Sequence, residues 1–523
     1  MIGENNNKLQ KEFGDYQTPS IFSNEICTYI NKFFHINPNV ILEPSFGIGN
    51  FIKSAVDTFD KIEKVFGIEI NTEYFNNAQE KYFTNIVGKK QYFYNEDIFN
   101  FDFNKIKSQI NINDNLLILG NPPWVTNTKL SELNSSNIPI KSNFKRLNGI
   151  EAITGKGNFD ITEYIIIMLL SNFQNYNTTL AMLCKSSVAQ NIIKDYKKLN
   201  IKIKKIKMIE FNAKKVFNVA CDAVLLYIET GEPCSQTCEV YSLYSSQKSK
   251  TIGWYNNKFI SNIENYKRYI KFDGKCPFTW RQGLKHDCSK IFELTHIKNN
   301  EFSNGNNELL KIEDAYVYPL FKSSDLKNYI ITNNRKHVIV TQKKVNQDTS
   351  EIKDSAPQLW KYLNNNSEIL NNRKSIIYQN SPEFSMFGIG DYSFSKYKVA
   401  ISGFYKEPVF SLINTEKTAM LDDTCYFLSF NKLKDAQICT ILLNSNPVKD
   451  FVKSLAFINA KRPYTKDILM RIDLNEICKS TSYEKLMEYA RNLDIRNNIS
   501  ETDYYNFMST ISDTNAQLKI FAT

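Results

Sequence analysis

The run Leu116-Leu117-Ile118-Leu119-Gly120-Asn121-Pro122-Pro123-Trp124 closes an apolar stretch with an amide, two prolines and an aromatic residue. Two prolines stop a strand and fix the backbone beyond it, leaving the Pro122 carbonyl without a sheet partner. The Asn121 side-chain oxygen and that carbonyl are then two fixed acceptors. Such a pair suits an exocyclic amine on an aromatic ring, whose delocalised lone pair makes it a poor nucleophile. Holding both N–H groups favours tetrahedral nitrogen and frees the lone pair for in-line attack on a sulfonium methyl group. Catalysis of this kind is positional and electrostatic, with no covalent enzyme intermediate. Trp124 supplies a face on which a planar base can stack.

Upstream, Val40-Ile41-Leu42-Glu43-Pro44-Ser45-Phe46-Gly47-Ile48-Gly49-Asn50-Phe51 reads as a strand, an acid, a glycine-containing turn and a helix start. Gly47 and Gly49 let backbone approach a ligand at the carboxyl end of the first strand. A second strand ends at Gly67-Ile68-Glu69-Ile70, offering a carboxylate to two ribose hydroxyls. A third ends at Glu96-Asp97-Ile98-Phe99, offering one to an adenine amino group. A glycine pair after a strand is usually only a turn. Three acidic strand ends in series point to a nucleoside-containing cofactor.

These residues need a scaffold, and the pattern up to about residue 230 supplies one. Strands are expected at 40–42, 65–70, 92–94, 116–119, 180–184, 208–211 and 224–228, with amphipathic helices such as 21–33 and 73–83 between them. That alternation predicts an α/β fold with a doubly wound, mostly parallel, Rossmann-like sheet of seven strands. The polar stretch 126–158 is too long for an ordinary connection. Segment 229–251, with Gly231, Pro233 and several serines, reads as a boundary. Two domains follow, 1–235 and 252–523, the second of mixed α+β design. At 523 residues and 42% hydrophobic content, two such cores can be buried. Residues 1–120 carry 11 basic and 15 acidic side chains, while the remainder carries 54 and 40, a net of +14. A basic excess confined to the later part fits a polyanionic partner. Ten scattered cysteines and the lack of a signal or spanning segment predict a reduced, cytoplasmic protein.

Together these segments resemble the amino-methyltransferases, above all the adenine-N6 DNA methyltransferases of type II restriction-modification systems. Phe13-Gly14-Asp15-Tyr16-Gln17-Thr18-Pro19 resembles the family element at the cofactor's methionine end. The resemblance implies a class I fold and S-adenosylmethionine held by Thr18, Pro19, Glu43, Pro44, Ser45, Gly47, Gly49, Glu69, Ile70, Asp97, Ile98 and Asn121. It places the base on Asn121, Pro122 and Trp124, with Phe217 in Lys215-Val216-Phe217-Asn218 as a second aromatic wall. Gly157-Asn158-Phe159-Asp160 resembles a further cofactor-side element, although Asn158 or Asp160 also suits a helix cap. The target adenine must leave the duplex to reach Asn121, so the downstream half is expected to bind double-stranded DNA. Arg281-Gln282-Gly283-Leu284-Lys285-His286-Asp287, the segment 387–394 and Lys461-Arg462-Pro463-Tyr464 resemble C-terminal regions of the same family. Expected phosphate or base contacts are Lys141, Lys145, Arg146, Arg281, Lys285, Lys396, Lys398, Lys406, Lys461 and Arg462. A monomer functionally paired with a restriction endonuclease is expected.

Other chemistries fit less well. Cys234 and Cys238 have a metal-like spacing, but no second close pair follows and the chain has four histidines, so no metal is expected. Pro233-Cys234 lies after the seventh strand, not the fourth where a cytosine-C5 nucleophile sits. Cytosine-N4 transfer usually has Ser in place of Asn121. RNA or protein-glutamine methylation uses the same acceptors with smaller accessory domains. A silent DNA-binding subunit would not need an intact Asn121 and Glu69.

Overall fold

The computed structural model describes residues 16–125, 160–298, 301–495 and 498–520. The chain divides into two compact units, Met1–Glu264 and Asn265–Thr523. Among the described residues no helix is long and apolar enough to cross a membrane.

In the first unit the elements run α1 (Ser20–Phe34), β1 (Val40–Glu43), α2 (Asn50–Thr58), β2 (Lys64–Ile68), α3 (Thr72–Lys81), β3 (Lys90–Tyr94) and β4 (Asn115–Gly120). They continue as α4 (Ile161–Phe173), β5 (Asn177–Lys185), α5 (Ser186–Asp195), β6 (Ile203–Phe211), α6 (Ala213–Phe217) and β7 (Ala223–Thr230). All seven expected strands form, and β1 to β5 pair in parallel in the order β3-β2-β1-β4-β5. Strand β7 lies between β5 and β6, antiparallel to both. The middle strands are apolar on both faces because helices cover both: Val40, Ile41 and Leu42 of β1 and Leu117, Ile118 and Leu119 of β4 are all buried. Helix α1 buries Phe22, Ile26, Cys27 and Ile30 along one stripe. Asn71 starts α3 by accepting from the Glu73 and Tyr74 amides.

The sheet is larger than expected. The strands β8 (Thr237–Ser242), β9 (Ser245–Tyr255) and β10 (Lys258–Ile260) extend it beyond β6 to ten strands. Segment 229–251 is therefore not a linker, and the compact units divide at Glu264. Cys238 and Val240 alternate with half-buried neighbours along β8, a period-2 signal that the surrounding glycine, proline and serines obscured.

The chain runs β1-α2-β2-α3-β3 to one side, then returns to place β4 on the other side of β1. That reversal opens a crevice beyond the carboxyl ends of β1 and β4, where open α/β sheets place ligands. Glu43 closes β1 and Gly120 closes β4.

The second unit holds a five-stranded sheet, ordered Arg281–Gln282, Cys425–Phe430, Tyr397–Ser402, Phe410–Ile413 and Ile330–Ile331, and a separate six-stranded sheet. One expectation fails here. Lys398, taken as a DNA contact, lies on the central strand Tyr397–Ser402 and is 1% exposed. Strands pair with it on both sides, and its Nζ donates to the Ser395 carbonyl at 2.7 Å. Burial lowers the Lys398 amine to about 7.

Between pH 7 and the ordinary lysine range the unfolded chain thus holds a proton that the folded chain has lost, so stability rises with pH across that window. Thermal melts are expected to show Tm climbing from pH 7 to 9. Lys398→Met should flatten that climb and raise Tm at pH 7; an unchanged slope would contradict the assignment.

Candidate active site

At the crevice Gly120 has φ +148, and a Cβ there would stand 3.2 Å from Glu43 Cγ. Only glycine lets the end of β4 pass this close to the end of β1. Next to it, Asn121 is half-buried, and its Nδ2 donates to the Tyr16 carbonyl at 2.9 Å. That bond fixes which end of the amide faces inward. Asn121 Oδ1 is buried and has no hydrogen-bond partner among the described residues. Nor does any described residue donate to the Pro122 carbonyl. A buried acceptor left unmet costs about 1–3 kcal/mol, so this is a place prepared for a donor that arrives from outside.

The Pro123 carbonyl is used internally: Thr162 Oγ1 donates to it at 2.6 Å, and the Ile161 amide donates to Val125 O at 2.9 Å. Both donors sit at the start of α4. Asp160 caps that helix by accepting from the Thr162 amide, and its other oxygen pairs with Lys185 Nζ at 2.6 Å. Lys185 ends β5, and the next amide, Ser186, donates to Asp222 O beyond the Phe217 segment. The catalytic-type turn is thereby tied to α4 and β5. Asp160 acts as the cap expected from sequence; Lys185, Tyr16 and Thr162 were missed. A backbone acceptor and an ion pair 25 residues apart have no signature in residue order.

Trp124 is 6% exposed, with Nε1 donating to Leu183 O at 3.4 Å. Its ring meets Phe217 edge-on at 5.3 Å and Tyr16 at 6.2 Å. Phe217 ends α6, whose cap is Asn212, and also packs against Phe22 and Phe211. The two residues expected as aromatic walls are neighbours, in direct edge-on ring contact.

Two of the three acids, Glu43 and Glu69, lie close enough to feel each other's charge. Glu69, just past β2, accepts from the Gly47 amide at 2.8 Å and the Asn71 amide at 2.8 Å, one on each oxygen. Glu43 is fully buried and accepts from the Ile52 amide at 3.1 Å. Burial pushes its carboxyl well above the ordinary range; the Ile52 amide opposes this and the neighbouring Glu69 charge adds to it. Asp97 is half-buried and accepts from the Phe99 amide and the Asn100 side chain. Beside Glu69, Ile70 is 45% exposed, an apolar surface at the crevice end of β2, while Ile98 is buried.

The loop after β1 is held from the opposite side. Gly47 and Gly49 have φ +55 and +83, and a Cβ on Gly47 would collide with the Gln17 amide. Gln17 Oε1 accepts from the Ile48 amide at 3.2 Å, and Asn50 Nδ2 donates to Thr18 O at 2.8 Å. Pro44 is buried, Ser45 Oγ lacks a partner among the described residues, and Pro19 precedes α1 with its carbonyl accepting from Phe22 and Ser23.

Among the expected DNA contacts, Lys141, Lys145 and Arg146 lie outside the described residues, as does Asn158. Lys285 pairs with Asp287 at 3.3 Å. Lys396 Nζ donates to the Thr415 carbonyl at 2.9 Å and to the Glu416 carbonyl. Arg281 and Lys461 are exposed, and Arg462 pairs with Asp423 at 3.5 Å.

A parallel sheet reversing at β1/β4, with antiparallel β7 between β5 and β6, defines the Rossmann-like class I methyltransferase architecture. No protein-family model matches the sequence. A curated relative, the type II methyltransferase M.NspV of a Nostoc species, is 38% identical over 484 residues, 90% of this chain and 98% of that protein. The chain belongs to the type II methyltransferases of restriction-modification systems. Among solved structures, the type IIL restriction-modification enzyme MmeI, determined in complex with DNA, matches with TM-score 0.51 and 12% identity, covering 98% of this chain and 77% of that one. At that identity the likeness concerns the fold.

The Asp160 tether is testable. Asp160→Ala removes both the cap and the ion pair and should cost about 1–3 kcal/mol in urea unfolding. Asp160→Asn keeps the cap and should recover part of the loss. Equal stability of all three proteins would show the tether to be inert.

Proposed function

We propose that this protein transfers the methyl group of S-adenosylmethionine to the N6 amine of an adenine flipped out of a short recognition sequence in duplex DNA. The observation that carries this reading is the Asn121 amide: anchored through Nδ2 to Tyr16, with Oδ1 buried and unmet beside the free Pro122 carbonyl.

The crevice fits the cofactor on its own chemistry. Glu69 stands at the strand end where a carboxylate can accept from vicinal ribose hydroxyls, and Ile70 offers apolar surface to an adenine ring. Asp97 and Ile98 lie at the adjacent strand end to meet its amine and edge. Glu43, Pro44, Ser45, Gly47 and Gly49 with Thr18 and Pro19 form the end that receives the amino-acid portion. Among the described residues no cation pairs with Glu43, and a positively charged ligand would draw its burial-raised carboxyl back towards the carboxylate. When bound, the cofactor supplies an electrophilic methyl on sulfur.

Asn121 Oδ1 and Pro122 O accept the two N–H bonds of the target amine and hold the nitrogen lone pair directed at that methyl. Preorganisation matters more than bond strength, because the amide is already oriented before substrate arrives. Trp124 and Phe217, in edge-on contact with each other, form one aromatic surface beside the turn against which the base packs. The amine acquires positive charge as the methyl arrives, which strengthens its bonds to both acceptors; its proton then leaves to solvent. Met1–Glu264 acts as the catalytic unit and Asn265–Thr523 as the unit that recognises duplex DNA. Methylation protects the site from a paired restriction endonuclease.

The test is sequencing that detects modified bases in DNA from cells expressing the protein, beside an Asn121→Ala control. N6-methyladenine at one short motif, absent from the control, is the expected result. Modified cytosine in its place would overturn the choice of base. Purified Asn121→Ala should bind S-adenosylmethionine as the parent does and lose turnover by at least a hundredfold, the scale of one lost preorganised group. DNA affinity should also fall steeply with added salt; a flat response would remove the proposed partner of the second unit.

A further inference from the structure

Four stretches of the second unit, far apart in sequence, meet at one edge of the five-stranded sheet. The edge strand Arg281–Gln282 pairs with Cys425–Phe430. Leu284 N donates to Leu421 O at 2.8 Å, and Lys285 exchanges backbone bonds with Phe387 at 2.7 and 2.9 Å. Arg462 Nη1 and Gln282 Nε2 both donate to the Asp423 carbonyl, at 3.0 and 2.6 Å. Two glycines permit this backbone-to-backbone packing. A Cβ on Gly283 would overlap the carbonyls of Leu421 and Asp422, and one on Gly388 would stand 2.5 Å from Gly283 O.

The cations at this edge differ in one respect. Arg462 is paired with Asp423 and rests on Phe404 at 5.1 Å; Lys285 is paired with Asp287. Arg281 is exposed and makes no side-chain hydrogen bond or ion pair among the described residues. Its guanidinium lies 4.8 Å from the centroid of the Tyr392 ring. An exposed arginine ordinarily sweeps through many rotamers. Stacking on an aromatic ring restrains the guanidinium while leaving its N–H edge free.

We infer that Arg281 reads a base edge of the DNA, its donor fork set in place by Tyr392. This rests on the reading of the second unit as the DNA-recognition unit. A restrained fork presents two parallel N–H donors, the pattern that matches O6 and N7 of guanine in the major groove. The same fork also fits two phosphate oxygens, but that contact would not depend on base sequence, which is what the experiment separates.

The experiment compares the parent with Arg281→Ala, Arg281→Lys and Tyr392→Leu on the methylated duplex and on duplexes carrying each single base-pair change. Expected is a loss of discrimination in Arg281→Ala of about tenfold or more at one G·C position, with unchanged S-adenosylmethionine binding and Tm. Arg281→Lys should not restore it, because a point charge lacks the fork, and Tyr392→Leu should weaken it partway. Equal weakening on every duplex would make Arg281 a phosphate contact and overturn the inference, as would unchanged discrimination. A parent protein that methylates no duplex would instead bring down the reading of the unit itself, an outcome visible in the control arm.

Discussion

The Asn121 amide donates to the Tyr16 carbonyl across 2.9 Å, and that bond organises the rest of the site. An amide free to flip would turn either a donor or an acceptor inward, and anchoring Nδ2 leaves Oδ1 as the inward acceptor. The anchor requires the chain at residues 16–18 to lie across two loops at once, held by Asn50 on Thr18 O and by Gln17 on the Ile48 amide. The cofactor-side loop and the amine-side turn therefore share one support, so that a shift in either is felt by the other.

The sheet explains why these loops can meet. Strand β4 lies beside β1 only because the chain reverses after β3, and the reversal leaves two carboxyl strand ends next to each other without a crossing helix between them. Close approach demands Gly120, since a side chain there would press on Glu43. Burial and the nearby Glu69 disfavour the charged form of Glu43, against which the single Ile52 amide bond works.

The second unit follows another logic. Its edge is assembled from four distant stretches that touch through backbone, with the frame fixed by Gly283 and Gly388. Beneath that edge, Glu293 joins Lys322 at 2.6 Å, and Lys322 reaches Asp422 at 4.0 Å. These largely buried charges tie the 421–425 turn to the six-stranded sheet and help define one arrangement of the loops.

Residue order alone determined the strands β1 to β7, because a sheet covered on both faces writes itself as short apolar runs punctuated by acids, glycines and prolines. It also determined the turn after β4, since Asn121-Pro122-Pro123-Trp124 is a local string whose backbone is fixed by its own prolines. Tertiary structure decided what depends on register and on distant backbone. Strands β8 to β10 join the sheet although their segment is rich in turn residues. Lys398 is buried although its neighbours are those of a surface strand, because only the pairing on both sides makes Tyr397–Ser402 central. The Tyr16 carbonyl and the Lys185–Asp160 pair are likewise invisible in sequence: any residue carries a carbonyl, and which distant charge meets Asp160 is set only when β5 pairs with β4.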